Sequence, residues 1–402
     1  LLAEAAAPAA RDGGARFRAA RLDRLLAEGA ADPALALIGQ AGRIESPELF
    51  SRWFDLALLA GRDEAACAAL TERPALSDDL ATRVYCDARQ GDWDHAATVL
   101  GTAQALGRVS ERDGELLLRF LEPEAVDETA PVQVPPRPTP LQFRLFEAVG
   151  EALPTQPLPR AFAATELSGT AGWRAQLLAA ERLARRGALA ENRLLGLYSD
   201  RRPAASGGVW DRVAAVQALD SALGTGRADL VGPALVKAWP QMRSAGLLVP
   251  FAKLFGPRLP EGDALSGRAR ALADRARLLS DGYETAARAL DDRAGQDGLM
   301  RAVATIATGS APDAPPEGGL QAAAVRAWAE TVAPPTELRQ MLDENRLGEA
   351  VLRAIALFSS GAEGNHADLS DSLATLRAVG LEDTARRAAI QLLILSDEGA
   401  PL

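Results

Sequence analysis

The stretch GDWDHA at residues 91–96 shows the local pattern that decides the fold: a turn glycine followed five positions later by alanine. Amphipathic runs flank this corner, and it appears again as GAADPA (29–34), GRDEAA (61–66) and GLEDTA (380–385). DGYETA (281–286) and NRLGEA (345–350) are looser copies. The first three corners begin 32 and 30 residues apart. A repeat of this length is typical of stacked helical hairpins, each of which buries its apolar face only against its neighbours.

The composition favours helices packed on helices. Of the 402 residues, 48% are hydrophobic and only 5% are aromatic, and alanine is the most frequent residue. Alanine loses no side-chain entropy in a helix and lets two helices approach closely, while runs of β-branched residues are nearly absent. We therefore predict an all-α fold, a superhelical stack of antiparallel helix hairpins.

Charge and hydropathy exclude several classes of function. The net charge of −10 is spread along the chain without a basic stripe, so we expect neither nucleic acid nor an anionic membrane as a partner. No run of eighteen apolar residues exists, so we predict no membrane span. His95 and His366 are the only histidines and have no further ligands at metal-binding spacing. We predict structural roles for both, and neither a metal nor a cofactor.

A proline-rich segment divides the chain. Residues 122–140 (EPEAVDETAPVQVPPRPTP) contain six prolines, a density that prevents helix and strand interiors and favours an extended connector. It is predicted to join helical repeats in 1–121 to helical repeats in 141–402, either as a plain linker or as a ligand for a partner's groove. GSAPDAPPEGG (309–319) is predicted to be an exposed loop.

The segment QGDWDHAATVLGTAQAL (90–106) resembles the corner and second helix of a tetratricopeptide repeat. Gly91, Asp92 and Trp93 stand where that family turns, and Ala96 and Ala103 stand at its two small packing positions. The chain departs from the family pattern before this corner, where Val84 replaces a glycine, and its closing proline is not regular.

Similar hairpins, among them LLAGRDEAACAAL (58–70) and SDGYETAARAL (280–290), extend the resemblance over about half of the chain. The resemblance implies a right-handed stack of helix pairs with a concave, protein-binding face. It implies no catalytic chemistry.

Two sets of residues are candidates for specific roles. In DRRPAASGGVWDR (200–212), a loop of small residues carries Arg201, Arg202, Trp210 and Arg212, and tryptophan and arginine are frequent in binding hot spots. Trp210 could instead pack within its own hairpin.

The second set is the pair Cys67 and Cys86, which lies on consecutive predicted helices. The two residues could be buried free thiols or a disulfide, although the helical spacing places them about a turn from the ideal register.

These observations favour a non-enzymatic scaffold or adaptor, a structural component of a larger protein assembly, with a bacterial envelope machine such as a flagellar motor as the context by analogy. A peptide-capturing regulatory protein and a transglycosylase-like superhelix without its catalytic domain are the alternatives. The chain begins with Leu1 rather than Met and has few, paired cysteines, which favours the periplasm; the cytoplasm is the alternative.

Overall fold

The computed structural model describes residues 15–40, 42–123, 132–168, 170–203, 205–290, 297–310, 318–329 and 332–401. In these ranges every regular element is a helix and no strand occurs, which confirms the all-α prediction. No helix in these ranges has both the length and the apolar character needed to cross a membrane. The chain forms two compact units, an N-terminal unit (1–190) and a C-terminal unit (191–402).

The N-terminal unit is built from nine described α-helices and two described 3-10 helices, Pro74–Leu76 and Arg160–Ser168. The α-helices are α1 (Ala15–Glu28), α2 (Ala31–Gln40), α3 (Pro47–Ala60), α4 (Glu64–Glu72), α5 (Leu80–Arg89), α6 (Trp93–Ala105), α7 (Glu111–Leu121), α8 (Pro140–Ala148) and α9 (Trp173–Ala184).

The C-terminal unit continues with α10 (Glu191–Ser199), α11 (Val209–Gly224), α12 (Ala228–Ser244), α13 (Leu248–Phe255), α14 (Gly267–Leu278), α15 (Tyr283–Leu290), α16 (Gly298–Thr308), α17 (Gly319–Arg326), α18 (Thr336–Asp343), α19 (Leu347–Ala362), α20 (His366–Ala378) and α21 (Glu382–Glu398). Consecutive helices pack as pairs, for example α11 with α12 and α19 with α20.

The repeated corner has one conformation wherever the glycine is present. The φ angle is +79° at Gly29, +66° at Gly61, +88° at Gly91 and +83° at Gly380. In the looser copy NRLGEA the corner residue is Asn345, whose φ of +60° is the only positive value among the described non-glycine residues. Glycine and asparagine tolerate this left-handed backbone, so the chain can leave one helix and reverse direction at once.

The alanine of the corner is buried in every copy except DGYETA, where Ala286 is half-buried. The side chain is 0% exposed at each of these positions: Ala34, Ala66, Ala96, Ala350 and Ala385. Because a larger side chain would hold the second helix away from its neighbour, the spacing from glycine to alanine sets both the turn and the closeness of the helix pair.

The proline-rich segment is not where the structure divides. Helix α8, which follows it, packs against α3 and α7 of the same unit. Arg144 Nε donates to the Leu58 carbonyl at 2.7 Å, and Phe143 packs with Phe162 at a ring-centroid distance of 5.3 Å. The compact unit therefore continues to residue 190 instead of ending at residue 121. Residues 124–131 of the predicted linker and 311–317 of the predicted loop lie outside the described residues.

A chain of aromatic side chains runs through the core of the N-terminal unit. Phe50 stacks on Phe54, Phe54 meets Tyr85 edge to face, and Tyr85 stacks on Phe120. Trp93 ends the chain against Phe120, with half of its side chain exposed. These contacts fix α3, α5, α6 and α7 relative to one another.

A buried carboxylate joins α4 to α5 beside this chain. Asp63 accepts hydrogen bonds from the Tyr85 hydroxyl at 3.0 Å and from Arg89 Nε at 2.9 Å. Burial and the neighbouring Asp63 carboxylate raise the pKa of Tyr85, so the phenol stays protonated and remains a donor.

Helices α19 and α20 of the C-terminal unit approach each other closely. A Cβ atom added at Gly361 would lie 2.6 Å from Leu369 Cβ and 2.7 Å from both Leu369 Cα and Leu369 N. Gly361 and Leu369 are both buried. The pair is therefore held at a distance that only glycine permits.

Candidate functional site

An open groove of about 500 Å³ lies in the N-terminal unit. Its lining comes from α4, α5 and α6 and from the segment that joins α4 to α5. The volume falls within the range of about 300–1,000 Å³ that is usual for ligand pockets. The apolar part of the lining consists of Leu70, Pro74, Leu80, Val99 and Ala103. We call this site the α4–α6 groove.

The corner at residues 91–96 positions the polar side of the groove. Asp92 caps α6, because its Oδ1 accepts a hydrogen bond from the His95 backbone N–H at 3.3 Å. From that start, His95, Thr98 and Thr102 follow one another at helical spacing and lie on one face of α6. All three side chains line the groove.

Three threonine hydroxyls lie in the lining, and each donates to its own helix. Thr98 Oγ1 donates to the Asp94 carbonyl at 2.9 Å, and Thr102 Oγ1 donates to the Thr98 carbonyl at 2.9 Å. On α4, Thr71 Oγ1 donates to the Cys67 carbonyl at 3.2 Å. Because a hydroxyl has one hydrogen, these oxygens present acceptor lone pairs to a molecule in the groove while those hydrogen bonds are kept.

A histidine–carboxylate pair lies in the lining of the groove. His95 Nδ1 is 2.9 Å from Asp87 Oδ2. A carboxylate accepts, so the hydrogen of the neutral imidazole is placed on Nδ1 and Nε2 becomes an acceptor. The sequence suggested a solvated or capping role for His95; the structure adds a place in the groove beside Asp87.

The guanidinium of Arg83 is directed towards backbone carbonyls. Its Nε donates to the Ser77 carbonyl at 2.9 Å, and its Nη2 donates to the carbonyls of Pro74 at 2.8 Å and of Ser77 at 2.7 Å. Asp78, whose side chain is 99% exposed, lies 3.9 Å from Nη2. Arg83 thus holds in place the connection between α4 and α5, which is part of the groove lining.

Cys67 and Cys86 form a disulfide next to the groove. The sulfur atoms are 2.08 Å apart, the Cα atoms are 4.9 Å apart, and both residues are buried. Cys67 precedes Thr71 by one turn of α4, and Cys86 is adjacent to Asp87 on α5. Of the two alternatives that the sequence left open, the structure therefore has the bonded one, and the bond ties two lining helices together.

The candidate side chains of the loop at residues 200–212 differ in their exposure to solvent. Arg201 and Arg202 are exposed, whereas Trp210 and Arg212, at the start of α11, are half-buried. Arg201 pairs with Asp200 at 3.0 Å, and Gln217 Nε2 donates to the Arg201 carbonyl at 2.6 Å. A role of this loop in partner binding stays a prediction.

No metal centre stands out among the described residues, because no three His, Cys, Asp or Glu side chains are grouped as ligands there. His366 is exposed and is the first residue of α20.

Sequence reasoning did not find the α4–α6 groove. A usable signal was the polar face of α6, where His95, Thr98 and Thr102 recur at helical spacing on an otherwise alanine-rich helix. No family model matches this chain, and no curated protein or solved structure matches it either. Its function is therefore inferred from the chemistry of the groove.

Proposed function

We propose that this protein is a non-enzymatic scaffold or adaptor, and that the α4–α6 groove receives a segment of a partner protein. The observation that carries the proposal is the groove itself, which combines an apolar lining with a row of polar side chains. Apolar contacts supply binding energy in such sites, and a small number of polar groups fix the orientation of the ligand.

The hydrogen bonds around His95 support a binding role over a catalytic one. A nucleophilic hydroxyl needs a base that takes its proton. Here the Thr98 hydroxyl donates to the Asp94 carbonyl and the Thr102 hydroxyl donates to the Thr98 carbonyl, so neither donates to the His95 imidazole. The groups of the groove therefore stabilise helices and are available as acceptors.

We further propose that the helix pairs of each unit stack as a right-handed superhelix and that the protein belongs to a larger assembly in the bacterial periplasm. The recurrent left-handed corners and buried alanines support the stack. The Cys67–Cys86 disulfide supports the periplasm over the cytoplasm, because disulfides persist in oxidising compartments.

Peptide selection tests the binding role of the groove. Random peptides displayed on phage are selected against the purified protein, and the Kd values of the recovered peptides are measured by fluorescence polarisation. Thr98→Trp places a large ring in the groove at an exposed helix position, and Ser51→Trp makes the same kind of change at an exposed position of α3.

We expect Thr98→Trp to weaken binding of the selected peptides at least tenfold and Ser51→Trp to leave it within about twofold, with unchanged helical circular dichroism for both. Peptides that bind Thr98→Trp as tightly as the unmodified protein, or a selection that recovers no binder, would contradict the proposal.

A further inference from the structure

Most hydrogen-bond donors of the polar groups in the α4–α6 groove already donate to acceptors within the protein. The three threonine hydroxyls donate to carbonyls of their own helices. His95 Nδ1 faces Asp87, and Nε and Nη2 of Arg83 donate to the carbonyls that precede α5. Nη1 of Arg83 takes part in none of these hydrogen bonds, so a ligand in the groove meets few donors besides its two N–H groups.

The same groups leave acceptors open. In the described part of the chain no residue donates to Asp87 Oδ1 or to Asp92 Oδ2, since the His95 ring contacts Asp87 Oδ2 and the His95 backbone N–H donates to Asp92 Oδ1. The threonine oxygens keep lone pairs, and His95 Nε2 is an acceptor in the neutral imidazole. The surface thus has the opposite polarity to an anion-binding site.

The formal charge of the groove lining also disfavours an anionic ligand. The titratable groups in the lining are Asp87, Asp92, His95 and Arg83, and with a neutral imidazole they sum to one negative charge. Asp78 lies near the Arg83 guanidinium and offsets part of its positive charge. A carboxylate-bearing ligand would be repelled there, and a cationic donor would be attracted.

We propose that the segment bound in the α4–α6 groove carries an arginine or lysine side chain, which donates to Asp87 and Asp92 while neighbouring residues of the segment cover the apolar lining. This inference rests on the proposed function, because it names the chemistry of the partner segment. Arginine and lysine are the protein side chains that combine positive charge with several donors and no acceptor.

The test uses four pools of fluorescein-labelled nonapeptides with blocked termini. The central residue is arginine, lysine, citrulline or glutamate, and the other positions are drawn from alanine, serine, threonine and leucine. Citrulline has the shape of arginine without its charge. Binding is measured by fluorescence polarisation at two salt concentrations, because attraction between partly exposed charges weakens as salt rises.

Two double variants isolate the carboxylates. Asp87→Asn with Asp92→Asn removes two charges from the groove, keeps an acceptor for His95 Nδ1 and keeps a good N-cap for α6. Glu337→Gln with Asp343→Asn removes the same charge from exposed positions of α18 in the other unit.

We expect the arginine pool to bind about tenfold or more tightly than the citrulline pool, since charge-assisted hydrogen bonds are about twice as strong as neutral ones. This preference should fall below about threefold in the groove variant, persist in the α18 variant and shrink at high salt.

The outcomes separate this inference from the function on which it rests. Equal binding of the arginine and citrulline pools, or tighter binding of the glutamate pool, would overturn the cationic partner and leave the groove as a binding site if Thr98→Trp still weakens binding at least tenfold. If no pool binds, or if Thr98→Trp has no effect, the proposed function fails together with the inference.

Discussion

The contact between α19 and α20 can be tested with two alanine substitutions of identical chemistry. Gly361 and Gly348 lie in the last and first turns of α19. Alanine at 361 would place a methyl group 2.6–2.7 Å from atoms of Leu369, whereas at 348 it would meet nothing within 4 Å. Both substitutions gain helix propensity of up to about 1 kcal/mol, less near a helix end. Only Gly361→Ala must also push α20 away.

Ordinary van der Waals contact requires carbon atoms about 3.5–4.0 Å apart, so the two helices would have to separate by about 1 Å. Overpacking of this kind costs about 1–3 kcal/mol. Because the propensity gain is common to both variants, the difference between them in unfolding free energy should be about 1–3 kcal/mol, with Gly348→Ala the more stable. Urea titration gives the free energies, and hydrogen exchange of peptides from residues 347–378 shows whether the loss is local. Equal stability of the two variants would refute the close approach.

Three further predictions concern the disulfide, the carboxylate of Asp55 and the loop before α11. Replacing Cys67 and Cys86 by alanine should destabilise the N-terminal unit by about 3 kcal/mol in urea titrations, the loop-closure entropy expected for a sequence separation of 19; two titratable thiols in the unreduced protein would show that the bond is absent. Burial raises the pKa of Asp55 to about 6, although Arg52 lowers it. The native state therefore keeps this proton after the unfolded chain has lost it, so the contribution to stability is complete below about pH 4 and is lost as pH rises to about 6. Asp55→Asn should be more stable than the unmodified protein by up to about 3 kcal/mol at pH 7.5 and no more stable at pH 3.5, and a difference independent of pH would contradict this. Trp210→Ala should weaken the binding of a partner protein and leave the helical circular dichroism signal unchanged. A lower melting temperature with intact binding would instead show that the Trp210 ring belongs to the core.

The corner could be predicted from the sequence because its causes are local. A left-handed residue such as Gly61 ends one helix, and a small residue such as Ala66 lets the next helix approach. Both requirements select particular residue types at a fixed spacing in the sequence, so the all-α class can be predicted from the sequence. The same reasoning cannot give the handedness of a stack.

The domain boundary depends on contacts between residues far apart in the sequence, and no local sequence pattern indicates such contacts. Proline density favoured a division at residues 122–140, but Arg144 reaches the Leu58 carbonyl across 86 residues and Arg160 pairs with Glu28 across 132. Such pairings depend on how distant helices meet, and hydropathy does not report them.

The groove was not predicted, and the sequence left the bonding of the cysteine pair open, for a related reason. The lining combines Thr71 with Thr98 and Thr102, and its acceptor character depends on the direction of each hydroxyl. For the cysteines, the 3-10 turn at Pro74–Leu76 and the extended residue Ser77 lie between α4 and α5. That irregular connection changes the register that ideal helices would give, and the Cα atoms come to lie 4.9 Å apart.

The covalent link between α4 and α5 has a mechanical consequence. If the molecule is stretched from its two ends, force passes through the sulfur atoms, and the residues between Cys67 and Cys86 carry no tension. The fully extended polymer should then be roughly 60 Å shorter than its number of residues implies. Adding a reductant during stretching would release that hidden length as a single step, while the rest of the force–extension trace would keep its shape.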